Sequence, residues 1–232
     1  MQPLQREKPL LSKDGSVHVT DEFYNTVIAA FGAVASLIGV ILLISNAWLA
    51  GQRWQVLGFS IYGFGLVNVF VARALHHGVN GSPRVNHLLR QYDYFAISLM
   101  IAGTFTPFCL ILLRNTLGWS VLILVWFLAL LGIALKAIYP NMPRWLNIAL
   151  FVGMGWLAVL IAKPVYLVIH WQGAAAMFVG GLFFTVGALI YGLEKPNPFP
   201  GKFGFHEIWH CFVLAGAASH FYIMHLLLFV PS

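Results

Sequence analysis

Apolar residues fall in blocks of about the length needed to cross a bilayer, separated by short polar breaks. A spanning helix takes about 20 mostly apolar residues, and seven such runs are present, at 24–50, 54–77, 92–113, 118–139, 145–168, 174–193 and 206–230. The breaks carry turn residues: Gly51-Gln52-Arg53, Asn80-Gly81-Ser82-Pro83, Arg114-Asn115, Pro140-Asn141-Met142-Pro143, Gln172-Gly173 and Pro196-Asn197-Pro198. Between the fifth and sixth runs the boundary is blurred, because Lys163-Pro164 interrupts the chain ahead of a loop expected at His170–Gly173. The pattern predicts an all-α, polytopic membrane protein: a seven-transmembrane-helix bundle over 24–230 preceded by a polar tail, 1–23. Its linkers are too short to form an extramembrane domain.

Composition removes the soluble alternative. Of 232 residues, 60% are hydrophobic and 9% charged, whereas soluble domains carry about 25% charged residues. A net charge of +6 does not indicate nucleic acid, because the Lys and Arg sit between apolar runs instead of clustering on a module. Residues 1–23 show no cleavable signal, so the first helix is expected to act as its own insertion signal. Nine basic residues (Arg6, Lys8, Lys13, Arg84, Arg90, Lys136, Arg144, Lys195 and Lys202) fall on the tail side, and three (Arg53, Arg114 and Lys163) on the other. That bias places the N-terminus in the cytoplasm and the C-terminus outside the inner, or cell, membrane. Cys109 and Cys211 lie in apolar runs and are expected as small buried hydrophobes, with no disulfide framework. Gly180-Gly181 and Gly153-x-Gly155 permit close helix packing, whether inside the chain or in a homo-oligomer.

Polar side chains at membrane depth are costly and commonly functional. Arg73, His76, His77, Asp93, His206, Glu207, His210, His220 and His225 are the candidates. His77 ends the second run, Asp93 begins the third, and His206 and His210 begin the seventh, all on the cytoplasmic side. Histidines four apart share a helix face, and a catalytic zinc takes three protein ligands and keeps one position open. His206, His210 and His77 are therefore the candidate metal ligands. Asp93 is a candidate for steering the attacking water or orienting a histidine. His206-Glu207-x-x-His210 also matches a metalloprotease signature with the Glu as base. Glu207 has two other roles open to it, a pair with Arg73 or a cap on its own helix. His18, His87, His170 and His225 are read as interfacial or packing residues. His220 lies nearly three turns deeper than His210 and is read as a hydrogen-bonding or cavity residue.

Several segments carry a family resemblance. Asp93-Tyr94-Phe95-Ala96-Ile97, Ile101 through Phe108, and Phe203-Gly204-Phe205-His206-Glu207-Ile208-Trp209-His210 are the strongest, with Phe212 through Gly216, His220, Glu22 and Asn25 in support. The chain resembles the bacterial hemolysin III proteins within the progestin and adipoQ receptor family. The resemblance implies seven helices, a cytoplasmic N-terminus and a zinc site formed by the positions of His77, His206 and His210, with Asp93 nearby. Relatives in the wider superfamily hydrolyse ceramides, so hydrolysis of a lipid amide is the implied chemistry. Two positions depart from the pattern: Arg73 stands where a serine is usual (Ala72, if His76 is the ligand), and Ala29 where the first helix usually has a histidine. A guanidinium near zinc needs Asp93, Glu207 or a lipid anion to neutralise it, and it suggests an anionic substrate.

Three functions follow as expectations. The first is a zinc-dependent hydrolase of a membrane lipid amide or ester. The second is a receptor-like regulator of membrane state, or a pore former, in which zinc is structural; no helix carries the full-length polar stripe a wide channel needs. The third, ranked below both, is an intramembrane metalloprotease using Glu207.

Overall fold

The computed structural model describes residues 22–199 and 202–231. Residues 1–21 of the polar tail, His18 among them, therefore lie outside the described residues, and Glu22 and Phe23 open the first helix. Helical segments follow in the order α1 (Glu22–Leu49), α2 (Arg53–Gly78), α3 (Pro83–Pro107), α4 (Thr116–Ile138), α5 (Arg144–Trp156), α6 (Val159–Leu193) and α7 (Phe205–Leu227). Among the described residues, six stretches are long and apolar enough to cross a membrane, with α5 and α6 forming one of them, Arg144–Leu193. The only β pairing described is an isolated bridge between Phe199 and Phe203.

Local signals account for most of the helix ends. Gly51 takes φ 70°, which a side chain would resist, and turns α1 into α2. Ser82 accepts a hydrogen bond from the Val85 amide at 3.4 Å with Pro83 in the first turn of α3. Asn115 does the same for Gly118 of α4 at 3.1 Å. Helix α3 starts nine residues before the apolar run at 92, because the run marks only its lipid-depth part; Arg84, Asn86, His87 and Arg90 continue the helix toward water. At its other end Pro107, which has no amide proton to donate, is followed by a π-helical turn, Phe108–Leu112.

The stretch Arg144–Leu193 doubles back on itself. Ile169 (φ −109°, ψ 17°) and His170 (φ 51°, ψ −157°) leave the helical conformation. The two ends of the stretch then lie together: Arg144 pairs with Glu194, its Cζ sits 5.0 Å from the centre of the Tyr191 ring, and Ile148 packs on Gly192. The reversal falls at the start of the loop expected at His170–Gly173. Gly173 is helical, and the Ile169 side chain occupies the space its Cβ would fill, so this glycine serves packing instead of a turn. A second, milder break separates α5 from α6 at Leu157-Ala158, ahead of the interruption expected at Lys163-Pro164, which lies inside α6.

Burial follows helical periodicity. The inward residues of α1 are Asn25, Ala29, Gly32, Ser36, Val40, Leu43 and Ala47, at spacings of three and four. Its other faces expose Phe31, Val34, Ile38 and Leu42, as α4 exposes Ile123, Phe127 and Leu130. A surface of this kind is stable against acyl chains and not against water. The centre of the bundle is the α2–α3 crossing. There a Cβ on Gly65 would come within 2.9 Å of the Leu99 carbonyl oxygen, and one on Gly103 within 3.1 Å of the Ile61 carbonyl oxygen. Glycine on both helices lets the backbones meet where no hydrophobic effect drives helix association. The other glycines singled out above behave differently: Gly153, Gly155 and Gly181 face open space, and only Gly180 receives a neighbour, the ring of His220.

Cys109 is buried as expected, but Cys211 is exposed on α7. Its thiol is apolar enough to face lipid, so an apolar run did not distinguish the inner from the outer face.

Candidate metal centre and adjoining cavity

The ends of α1, α2 and α7 that lie on the α3 N-terminal side meet in a polar cluster. Arg73 is 1% exposed, His77 3%, Asp93 7%, Glu207 0% and His210 1%. His77 comes from the last turn of α2, and His206 and His210 from the first two turns of α7. Ring centroids are 5.2 Å apart for His77–His206, 4.9 Å for His77–His210 and 4.8 Å for His206–His210. One ligand nitrogen from each imidazole lies within 4.8 Å of the other two. Bonds from zinc to imidazole nitrogen are about 2.0–2.1 Å, and the three nitrogens are grouped closely enough that they could hold one cation in common. Among the described residues, Nε2 of His77 and both ring nitrogens of His210 are buried with no hydrogen-bond partner. A buried, unpartnered polar nitrogen is costly unless it serves a ligand. The donor set, imidazoles alone, suits zinc and related first-row cations. His76, adjacent to His77, stands outside this group of three.

A carboxylate orients His77, and it is Glu22. Its Oε2 accepts from Nδ1 of His77 at 2.5 Å, which turns the Nε2 lone pair toward the other imidazoles. Sequence reasoning used Glu22 only as part of a resemblance, since an acidic residue in a first turn already has an ordinary explanation in the helix dipole.

The two carboxylates singled out from the sequence are engaged elsewhere. Asp93 Oδ1 accepts from Nε of Arg73 at 3.3 Å. This buried ion pair supplies the neutralising charge that Arg73 requires. Both oxygens of Glu207 are occupied: Oε1 accepts from Nδ2 of Asn25 at 2.8 Å, and Oε2 from the Gly204 amide at 2.7 Å. The second bond caps α7, as half of a capping box does, and the first ties α7 to α1. Of the three roles open to Glu207, the cap is the one its contacts display. Its geometry offers no pair with Arg73.

Arg73 carries further contacts that the sequence did not signal. Its Cζ lies 4.7 Å from the centre of the Trp209 ring, and Trp209 stacks at 4.5 Å on Tyr191 from the end of α6. Beyond this group opens a cavity of about 300 Å³, walled largely by apolar side chains of α3, α5, α6 and α7. Arg73, Trp209 and Tyr191 belong to its wall, as does His220 much deeper along α7; the three clustered imidazoles do not. His220 donates through Nδ1 to the Gly216 carbonyl oxygen, 3.0 Å away, and stacks on Phe184. His87, His170 and His225 are exposed.

The fold and the cluster together define a helical, multi-pass membrane protein with three histidines that could bind a metal ion near one end of the bundle. The Haemolysin-III related family model matches residues 17–221, and the chain belongs to that family. It is 35% identical over 204 residues to Hemolysin-3 of Bacillus cereus, covering 88% of this chain and 90% of that one. It is 33% identical over 204 residues to the Hemolysin-3 homolog of Bacillus subtilis, covering 88% and 92%. The human monocyte to macrophage differentiation factor is more distant, at 24% over 202 residues, or 85% of this chain and 80% of that one.

Proposed function

We propose that this chain is a seven-helix membrane protein whose His77, His206 and His210 hold zinc, and that it hydrolyses a lipid amide or ester. The reversal at His170 supports seven crossings, because an unbroken 50-residue helix would be about 75 Å long against a hydrocarbon core of about 30 Å. The nine-to-three basic bias supports a cytoplasmic N-terminus, which puts the histidine cluster at the cytoplasmic side.

The observation that carries the reading is a buried three-imidazole group beside an apolar cavity. Zinc held there supplies Lewis acidity toward a carbonyl and acidifies water. The chain's own residues do the rest. Glu22 fixes the tautomer of His77, Asn25 and Glu207 hold α7 in register with α1, and the cavity excludes water around an acyl chain. Asp93 and Glu207 are the candidate proton-handling groups. Asp93 would have to leave Arg73, and Glu207 would have to release one of its two present donors.

The test is metal content and turnover together. Purified wild type is expected to carry one zinc per chain and His77→Ala almost none. Hydrolysis of ceramide-like amides by wild type should disappear with chelator and return with zinc. Turnover that survives both zinc removal and His210→Ala defeats the hydrolase reading. The same ligands join α2 to α7, which favours a second reading in which the ion is structural. In that case chelation lowers thermal stability while no lipid amide or ester is turned over.

A further inference from the structure

Basic residues at the histidine end of the bundle are of two kinds. Arg84, Lys195 and Lys202 are exposed, as charges that only bias insertion can be. Lys136, in the last turn of α4, is 6% exposed. Its Nζ donates to the Pro140 carbonyl oxygen at 2.7 Å and lies 4.2 Å from the centre of the Tyr94 ring. Those contacts close the end of α4, but neither cancels the charge. Among the described residues no carboxylate pairs with Lys136.

Further cations gather beside it. Tyr94 and Tyr191 share a hydrogen bond, hydroxyl to hydroxyl, at 3.2 Å. Arg144 of α5 stands over the Tyr191 ring. Arg90, one turn before Tyr94 on α3, lies within electrostatic range of both Lys136 and Tyr191. Three helices therefore bring three cations around two phenols. The carboxylate described among them is Glu194, which takes one guanidinium nitrogen of Arg144. Like charges held together at the edge of a low-dielectric region repel one another, and a bound anion relieves that repulsion. None of the three cations lines the apolar cavity. Arg90 and Arg144 are half-buried, and the exposed Ile138, Tyr139 and Trp145 adjoin the cluster along α4 and α5. An anion docked there has apolar surface beside it, which suits a lipid better than a free ion.

We propose that Arg90, Lys136 and Arg144 form a site on the outside of the bundle for the phosphate of an anionic membrane phospholipid, in the leaflet on the histidine side. Arg90 and Arg144 meet the phosphate oxygens, for which a planar guanidinium fork is suited. Lys136, fixed behind them by Pro140 and Tyr94, strengthens the positive potential without having to touch the lipid. Tyr139 and Trp145 lie beside the glycerol and the upper acyl chains, where such side chains anchor helices. Basic pockets of this kind between helices recognise anionic head groups. The site uses neither the histidines nor the cavity, so it stands or falls separately from the hydrolase reading.

The experiment uses the full chain in mild nonionic detergent. Dioleoyl phosphatidylglycerol, dioleoyl phosphatidylcholine and inorganic phosphate are titrated in parallel, and native mass spectrometry counts bound lipid. Wild type should bind one phosphatidylglycerol at least about tenfold more tightly than phosphatidylcholine, the effect of two uncompensated basic residues near an anionic head group. Lys136→Gln should lower that preference about fivefold, the worth of one such residue. Arg90→Gln gives the same measurement if the end of α4 does not tolerate the loss of Lys136. As a control, Arg84→Gln with Lys202→Gln removes two exposed charges and should change the preference by less than about twofold. Wild type without a preference for phosphatidylglycerol overturns the proposal, as does a preference unchanged in both cluster variants. So does a control that loses as much as Lys136→Gln, which would make the effect one of diffuse charge. Free phosphate displacing the lipid at comparable concentration overturns it too, since the occupant would then be a soluble anion.

Discussion

The two ends of the bundle both bury polar side chains, and they do so differently. Where α1 turns into α2, Gln52 donates to the Leu228 carbonyl at 3.0 Å and Gln55 to the Val230 carbonyl at 2.9 Å. These amides close the backbone of the frayed end of α7, where carbonyls lack helical partners. At the opposite end, polar side chains meet one another: Glu22 with His77, Asn25 with Glu207, Arg73 with Asp93. Both ends leave buried atoms without partners among the described residues: Oε1 of Gln52 and of Gln55 at the first, and nitrogens of His77, His210 and Arg73 at the second. Polar burial that finishes a helix end is stitching. What marks the histidine end as a candidate site is convergence: ring nitrogens of His77, His206 and His210 lie within 4.8 Å of one another, and a shared ion would offset the cost of burying them.

Three substitutions test this contrast. The largest effect is expected at the histidine end from Arg73→Ala, which leaves Asp93 as a buried, uncompensated charge. Breaking a buried pair this way costs about 3–5 kcal/mol, measurable as a fall in unfolding free energy in mild detergent. A loss below about 1 kcal/mol would mean that water already reaches the pair. Glu22→Gln comes next. It keeps the shape and a hydrogen-bond acceptor but removes the charge behind His77, and should weaken metal affinity about tenfold, the lower edge of the range for such partners. Competition with a fluorescent chelator gives the number, and global stability in chelator should hardly change. The smallest effect is expected at the other end. Gln55→Ala should cost about 1 kcal/mol, the worth of one ordinary hydrogen bond, and leave metal content untouched.

The lengths of the apolar runs located α1, α2, α4 and α7 to within a few residues, because a bilayer enforces a minimum span whatever the tertiary packing. They could not show that α3 begins at Pro83, since a helix in the headgroup region has no need of apolar residues. The loop expected at His170–Gly173 does hold the reversal, at its first residue; Gly173 resembled a turn residue, but it is helical and sits against the Ile169 side chain. The histidines were legible because residues four apart on α7 share a face and His77 ends its run at the same depth. Their carboxylate partner was not. Asp93 and Glu207 stood out as membrane-depth acids, but each has a structural partner close at hand, Arg73 for one and the α7 cap with Asn25 for the other. Glu22 sits in a first helical turn, where an acid is expected for reasons unconnected with any site. Pairing between distant helices is decided by packing, and a single sequence does not display it.

The histidine cluster draws on the second helix and on the last one. During synthesis, therefore, a chain that has inserted everything up to α6 still presents His77 with none of its companions. The binding geometry comes into being only when α7 enters the membrane and settles against α1 and α2. Capture of an ion would then report that the whole chain has been made and threaded, and a ribosome stalled anywhere before Phe205 would leave a bundle unable to hold one.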